Sequence, residues 1–495
     1  MTTPTKLSLH PAWTIDTVSP LIFGGFLEHM GRAVYQGVYD PDSSQADEFG
    51  VRQDVIAALQ ELQMTIMRYP GGNFASGYHW RDGVGPKQAR PTVRELAWQS
   101  IEPNQFGTDE FLHLCQRVRW EPMLCANLGT GTPEEARDWV EYCNAPIGTR
   151  WADLRADNGN PEPYGVKYWC LGNEMDGPWQ LGHVPAGDYA IRAQQAAKMM
   201  KDCDPGVSLI ACGSCNIDLP SYLEWDRVVL EHLGGLGHYV SLHRYARNDS
   251  DDPADFLAMG KSIDDQIEGL DALCKYVAAK QRRPRRAYLC FDEWNVWYKA
   301  SLPQGIGGGV FAPPLIEEVY NLEDALVVAS FLMSFIRHAD SVKIANLAQV
   351  VNVIAPLLTR GDDLLKQSIF YAFEMVSKRK AGTAMRVSVQ GGELHSPAYG
   401  VCDEVDCAAI LDAGTRQLHL FAMNRNTTGD IDLHVDLLGQ ELREVSSEIL
   451  TGTDLKAANS FEDRDVIQSQ PAQLWHDQAT KLPAHSFAAT TFDIA

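Results

Sequence analysis

The stretch "YWCLGNEMDGPW", residues 168–179, runs from apolar residues straight into an amide and a carboxylate, Asn173-Glu174. Asp176, Gly177 and Pro178 follow at once, so the apolar run ends in a turn. A helix N-cap or a surface loop would explain one such pair, because acidic and amide residues are common in both. A catalytic reading needs a second carboxylate, delivered in the same way by another strand.

Outward from this stretch the same rhythm recurs: a short apolar run, a polar or Gly-rich turn, then a longer amphipathic segment. The strand-like runs are "LIFGGFLEH" (21–29), "MTIMRYPGG" (64–72), "EPMLCANLG" (121–129) and "GVKYWCLGNE" (165–174). Four more follow: "SLIACGS" (208–214), "YVSLHRY" (239–245), "RAYLCFDEWN" (286–295) and "SVKIANLAQ" (341–349). Helical patterns such as "DEFGVRQDVIAALQEL", "TPEEARDWVEYCN" and "DYAIRAQQAAKMMKD" lie between them. Eight near-continuous apolar strands alternating with helices predict a (β/α)8 TIM barrel over residues 21–375. A doubly wound open sheet also alternates, but is not expected to end so many strands in polar residues aimed at one site.

Past about residue 375 the period changes to two. In "DIDLHVDL", Ile431, Leu433, Val435 and Leu437 share one face, and Asp430, Asp432, His434 and Asp436 the other. That is antiparallel sheet with one wet face. Residues 376–495 are therefore expected to form a β-sandwich, jelly-roll-like, and "LSLHPAWTID" within residues 1–20 to add a strand to it.

The 495 residues are 45% apolar and 22% charged, an ordinary balance for a globular protein with a sizeable core. The 42 basic and 65 acidic residues leave a net charge of -23, which argues against nucleic acid and anionic membranes as partners. A neutral partner such as a carbohydrate is unaffected. "MTTPTKLSLHPAWTIDTVSP" has no apolar core of a signal peptide, and no run approaches a membrane span. The cysteines number eleven and lie in apolar segments, which suggests buried thiols in the cytoplasm. Cys212 and Cys215 form a C-x-x-C without a second pair or a His at ligand spacing, so neither zinc nor a redox centre is expected there.

Active sites of such barrels sit at the C-terminal strand ends. Read in order, those ends carry Glu28; Arg68 and Asn73; Asn127; Asn173 and Glu174; His243 and Tyr245; Glu293 and Asn295; and Gln349. No phosphate-cradling loop and no His pair of metal spacing is present, so neither a cofactor nor a metal is expected. Carboxylates, amides, a guanidinium and a phenol suit the hydrogen-bonding of sugar hydroxyls. Glu293, in "FDEWNVWY", is the second carboxylate, and strands four and seven face each other across the mouth. Two carboxyls about 5 Å apart equip a retaining glycosidase, one as nucleophile and one as acid. Spacing alone does not say which is which.

The stretches "RYPGGNFASGYHWRDGVGP" (68–86), "FGTDEF" (106–111), "CLGNEMDGPWQ" (170–180), "SLHRYARN" (241–248) and "FDEWNVWY" (291–298) closely resemble the α-L-arabinofuranosidases of glycoside hydrolase family 51. The resemblance runs over essentially the whole chain. It implies a barrel with a C-terminal β-sandwich, Glu174 as acid/base, Glu293 as nucleophile, and retention at the anomeric carbon. It further implies that Glu28, Asn73, Asn173 and Gln349 hydrogen-bond the furanose, that Arg68 and Tyr245 hold Glu293, and that Trp98 and Trp297 line the approach. His243 is a supporting residue, more often a hydrogen-bonding group than a ligand. Trp98 as a packing aromatic and Gln349 as a partner of nearby backbone are the plainer alternatives. Arabinose-containing oligosaccharides are the implied partners, and a homo-oligomer, commonly a hexamer, the implied assembly.

Gly25 and Leu27, beside Glu28, vary within the family and leave substrate preference open. A family variant acting on a galactofuranoside, xyloside or β-glucan is the nearest rival, and a non-catalytic carbohydrate-binding protein a more distant one. A metal-dependent barrel hydrolase would need His-x-His on strand one, which Leu27-Glu28-His29 does not supply. The Gly- and Pro-rich stretch 299–318 reads as a lid over a closed pocket.

Overall fold

The computed structural model describes residues 4–302 and 308–495. Eight strands close into a barrel in sequential order. Strands one to four are Gly24–Phe26, Ile66–Tyr69, Glu121–Cys125 and Tyr168–Leu171. Strands five to eight are Ser208–Ala211, Tyr239–Ala246, Tyr288–Val296 and Val342–Ala348. All neighbours pair in parallel.

Each expected apolar run holds one strand, in most cases shorter than the run. Residues 21–29 contribute only Gly24–Phe26, because Pro20–Ile22 is wound into a 3-10 turn whose start is capped by the Ser19 side chain. The helical pattern from residue 47 likewise becomes helix only at Gln53–Glu61. Asp47 accepts from the backbone N–H groups of Phe49 and Val51, which folds the first residues into a turn instead. Pro133–Asn144 has the start its sequence calls for: the Thr132 side chain accepts from Glu135 N at 3.1 Å, with Pro133 at the first helical position.

Beyond the barrel, a seven-stranded and a four-stranded sheet stack around their own core of Leu7, Leu420, Leu433, Val435 and Phe492. Ile431–Leu437 keeps the predicted alternation, with Ile431, Leu433, Val435 and Leu437 buried. Thr5–Leu9 runs parallel beside Ile431–Leu437 in the smaller sheet, and Thr14–Thr17 pairs with Thr383–Met385 in the larger. The N-terminal segment thus contributes to both sheets.

Helix Leu322–Arg337 is buried on nearly every side, as a helix apolar all round must be. It separates the barrel wall from the larger sheet. Its Ser330 and Arg337 reach Asp406 of the sheet at 2.9 and 2.7 Å, and Arg425 completes the cluster at 2.7 Å from Asp406. Of the stretch expected to be a lid, residues 303–307 lie outside the described residues, and Ile101 N donates to Val310 O at 3.0 Å. Among the described residues no helix is long and apolar enough to cross a membrane.

Candidate active site

Strand four ends at Leu171, and Gly172, at φ +88°, turns the chain so that Asn173 and Glu174 stand above the barrel mouth. Glu174 itself adopts φ +45°, a left-handed conformation that costs a glutamate energy and is found where a site requires it. Its Oε1 lies 2.9 Å from His243 Nδ1, and its Oε2 accepts from Trp179 Nε1 at 2.6 Å.

Strand seven delivers the other carboxylate by a different device. Against strand six, Ser241 pairs with Cys290 but His243 with Glu293; against strand eight, Phe291 pairs with Ala345 but Trp294 with Leu347. Strand seven therefore carries one extra residue, a β-bulge, at Phe291–Trp294. Phe291 and Trp294 face outward onto Phe335 and Phe331, with ring centroids 5.0 Å apart in each pair. The two residues between them, Asp292 and Glu293, both face inward. A regular strand would have sent one of them out.

Glu293 Oε1 accepts from Arg68 Nη1 at 2.7 Å and Oε2 from Tyr245 OH at 2.9 Å. One carboxylate oxygen of Glu174, one of Glu293 and a ring nitrogen of His243 all lie within 4.8 Å of one another. That set could also be read as metal ligands, but Arg68, Tyr245 and Trp179 already donate to the carboxylates. The carboxylates stand at the separation of a retaining pair.

Beneath them the charges alternate. Arg68, fully buried, has Nε 3.4 Å from Asp292, Nη1 on Glu293 and Nη2 donating to Asn173 Oδ1 at 2.7 Å. The Phe26 ring lies under its guanidinium, 4.6 Å from the centroid. Asp292 Oδ1 is 3.1 Å from His243 Nε2. Burial opposes the charge of Asp292, but Arg68 and His243 outweigh it and hold the carboxyl below its ordinary value. Burial likewise opposes a charged His243, and Glu293 and Asp292 raise it well above the usual imidazole range. His243 thus bridges Asp292 and Glu174, and the carboxylates around it favour its charged form.

Glu28 forms the far wall. Its Oε1 accepts from Phe74 N at 2.9 Å and Trp98 Nε1 at 3.0 Å, and Gln349 Nε2 lies 3.3 Å from Oε2. Burial, and then the charge of Glu293, push its carboxyl up to about 8. Gln349 also accepts from Glu28 N at 3.0 Å, so it serves nearby backbone as well as the cavity. Glu28, Asn73, Trp98, Glu174, His243, Tyr245, Glu293, Trp297 and Gln349 line one cavity of about 850 Å3. Asn173 is buried, with Nδ2 3.5 Å from Asn73 Oδ1.

Two strand-end amides do not join them. Asn127 Oδ1 accepts from the N–H groups of Gly129, Thr130 and Gly131, and Asn295 Nδ2 donates to Ala348 O and Ile354 O. Both hold loops in place. Asp292 and Trp179 were not singled out by the sequence reading. Trp179 stands five residues past Glu174 in the opening stretch, and that proximity was the available signal; nothing in the sequence marks the bulge that turns Asp292 inward.

Comparison with known proteins agrees with this geometry. Residues 58–264 match the α-L-arabinofuranosidase 1 domain, and residues 292–486 the α-L-arabinofuranosidase C-terminal domain. The chain is 42% identical, over 93% of each sequence, to an intracellular exo-α-(1→5)-L-arabinofuranosidase 1 of Bacillus subtilis (strain 168). The chain belongs to the α-L-arabinofuranosidases of glycoside hydrolase family 51. Another relative, the exo-α-(1→6)-L-arabinofuranosidase of Bifidobacterium longum, is 38% identical over 94% of this chain and 92% of its own. A solved family 51 α-L-arabinofuranosidase from Bifidobacterium longum superposes with a TM-score of 0.95 at 35% identity, covering 99% of this chain and all of that one. The C-terminal family model begins at Asp292, inside strand seven, so it takes in the end of the barrel together with the sandwich.

Proposed function

We propose that the protein is a retaining, exo-acting glycoside hydrolase that removes terminal non-reducing α-L-arabinofuranosyl residues from arabino-oligosaccharides. The observation that carries this is the pair of carboxylates within 4.8 Å on facing strands of an arabinofuranosidase-family barrel. Glu293, held by Arg68 and Tyr245, attacks the anomeric carbon. Glu174 gives a proton to the departing oxygen, and a covalent glycosyl-enzyme forms. In the second step Glu174 takes a proton from water, which releases the sugar with its starting configuration. Glu28, Asn73, Asn173 and Gln349 bind the furanose hydroxyls, Trp98 and Trp297 line the approach, and His243 supports Glu174.

Proton NMR of the first product released from an aryl α-L-arabinofuranoside tests the reading. The initial anomer should be α, and a β product would overturn the two-step mechanism. The (1→5) and (1→6) activities named for its relatives make short arabinan-type chains the substrates to try first. Residues 1–20 and 376–495 are read as one sandwich unit attached to a catalytic barrel at 21–375. A cytoplasmic location agrees with the intracellular names of several relatives and with eleven free thiols. A homo-oligomer, a hexamer by family resemblance, is the assembly to look for by light scattering.

A further inference from the structure

The chain between strand two and helix Thr108–Val118 carries a hairpin, in which Val93–Arg94 pairs antiparallel with Ile101–Glu102. Its tip, residues 95–100, brings Ala97 and Trp98 to the wall of the catalytic cavity. Glu95 is not part of that wall; its side chain turns back into the tip. Ala97 N donates to Glu95 Oε1, and Trp98 N donates to Oε2 at 2.6 Å. Glu95 N closes the turn by donating to Ser100 O at 3.0 Å. The tip is therefore folded around one carboxylate: Glu95 and Trp98 are 6% and 8% exposed, while Leu96 between them is 61% exposed.

Burial works against a carboxylate in this place. Among the described residues no basic side chain stands at ion-pair distance from Glu95, and the two amide N–H groups are its hydrogen-bond partners. An apolar side chain would fill the same space without the desolvation. What the carboxylate adds is two acceptor oxygens, each aimed at a neighbouring N–H; an amide would turn one of them into a donor. Those acceptors fix the backbone at Ala97 and Trp98. Gln99, next in the chain, is held at φ +54°, a left-handed conformation that glutamine rarely adopts.

The fixed backbone bears on the sugar pocket through one contact. Trp98 Nε1 donates to Glu28 Oε1 at 3.0 Å, so the direction of the indole sets how Glu28 is oriented. The second strand of the hairpin reaches the next residue of the chain. Glu102 Oε2 lies 2.9 Å from His29 Nδ1, and its Oε1 accepts from Tyr35 OH and from Asn104 N at 2.6 Å. We propose that Glu95 is a positioning residue for sugar recognition: its two acceptor oxygens hold Trp98 where the indole N–H steers Glu28 toward the furanose. Glu95 touches no substrate and acts through Trp98. This rests on the glycosidase reading above.

The test is a double-mutant cycle on kcat/KM for an aryl α-L-arabinofuranoside, with Glu95→Gln and Trp98→Phe. Each single variant should lose roughly tenfold, the size of one hydrogen bond. The double variant should lose little more than Trp98→Phe alone, because Glu95 then has no indole N–H to steer. Losses that multiply to roughly a hundredfold overturn the proposal, as does a Glu95→Gln rate equal to the parent's. Glu95→Asp should keep most of the rate. Aspartate takes the same two N–H positions elsewhere in this chain, where Asp252 accepts from Ala254 N and Asp255 N. A loss in Glu95→Asp equal to that in Glu95→Gln overturns the two-acceptor role. A second readout is independent of activity: the indole signal of a proton–nitrogen correlation spectrum that vanishes in Trp98→Phe. It should move in Glu95→Gln and stay in place in Glu95→Asp. A signal unmoved by Glu95→Gln overturns the proposal, and so does global loss of fold in that variant. An inactive parent whose indole signal still moves would instead reject the glycosidase reading and leave the placement of Trp98 by Glu95 standing, so the two failures are distinct.

Discussion

At the scale of single residues, Glu174 has two contacts with separate consequences. It receives Trp179 on one oxygen and His243 on the other, so removing it deletes the proposed proton donor and leaves both partners in place. Glu174→Ala should slow cleavage of oligosaccharides by roughly 100-fold to 10,000-fold, the contribution of a general acid. Formation of the glycosyl-enzyme from a dinitrophenyl arabinofuranoside, whose leaving group needs no proton, should be largely spared. Azide should restore turnover of that substrate, because it needs no general base. Equal losses on both substrates without azide rescue would mean that Glu174 is structural or that the two glutamates are exchanged. Glu28 makes a different prediction, through pH. Its carboxyl titrates near 8 in the folded protein and near 4.5 when exposed, so the folded state holds an extra proton between those values. Stability must then fall as pH rises through this window, by on the order of 5 kcal/mol at about 1.4 kcal/mol per pKa unit. Glu28→Gln, always neutral, should show a shallower decline in thermal midpoint between pH 5 and pH 8. A parallel decline in both proteins would show that Glu28 is not the group responsible.

Among elements, the turn after strand two shows how closely backbone approaches chemistry. A Cβ placed on Gly72 would stand 2.8 Å from Glu293 Oε1 and 3.3 Å from Asn173 Nδ2. Gly72→Ala should therefore displace Glu293, the proposed nucleophile, and cost about 100-fold in kcat, the usual penalty for a misplacement near 1 Å. Circular dichroism should show the fold intact, and an unchanged kcat would mean that the turn relaxes. The eight barrel strands were legible because each is an apolar run closed by a turn, and their ends were legible because polar residues there have no packing reason to exist. What periodicity could not show is the bulge on strand seven. A strict period of two puts Asp292 and Glu293 on opposite faces, and only the pairing with strands six and eight reveals that both turn inward. The same limit applies to Asn127 and Asn295, which carry the right chemistry at the right strand ends and are used to tie loops.

For the molecule as a whole, a buried cluster of charge is among the contacts that join barrel to sandwich. Asp406 of the sheet is met by Ser330 and Arg337 of helix Leu322–Arg337 and by Arg425, and both Asp406 and Arg425 are about 5% exposed. Asp406→Ala would leave Arg425 buried without its carboxylate, which should cost about 3–5 kcal/mol. The thermal midpoint should drop by several degrees while the activity of the folded fraction persists, and a midpoint unchanged within error would show that the cluster is solvated. The alternating pattern of Ile431–Leu437 announced the sandwich, but the partner it takes could not be read from its own residues. One of its two neighbours is Thr5–Leu9, in register from Thr5 against Leu433 to Leu9 against Leu437, and the other is Ala479–Leu482. On a ribosome Thr5–Leu9 and Ile431–Leu437 are made about 430 residues apart. At roughly 5–20 residues per second the earlier one waits on the order of 20 to 90 seconds for its neighbour. For most of that interval, until Ser388–Gln390 is made, Leu7 and Leu9, which end in the sandwich core, have no strand to pair with. The newborn chain therefore carries an unpaired apolar strand for most of its synthesis. Building one sandwich from the earliest strand and a strand made about 430 residues later places a demand on whatever shields nascent chains in the cell.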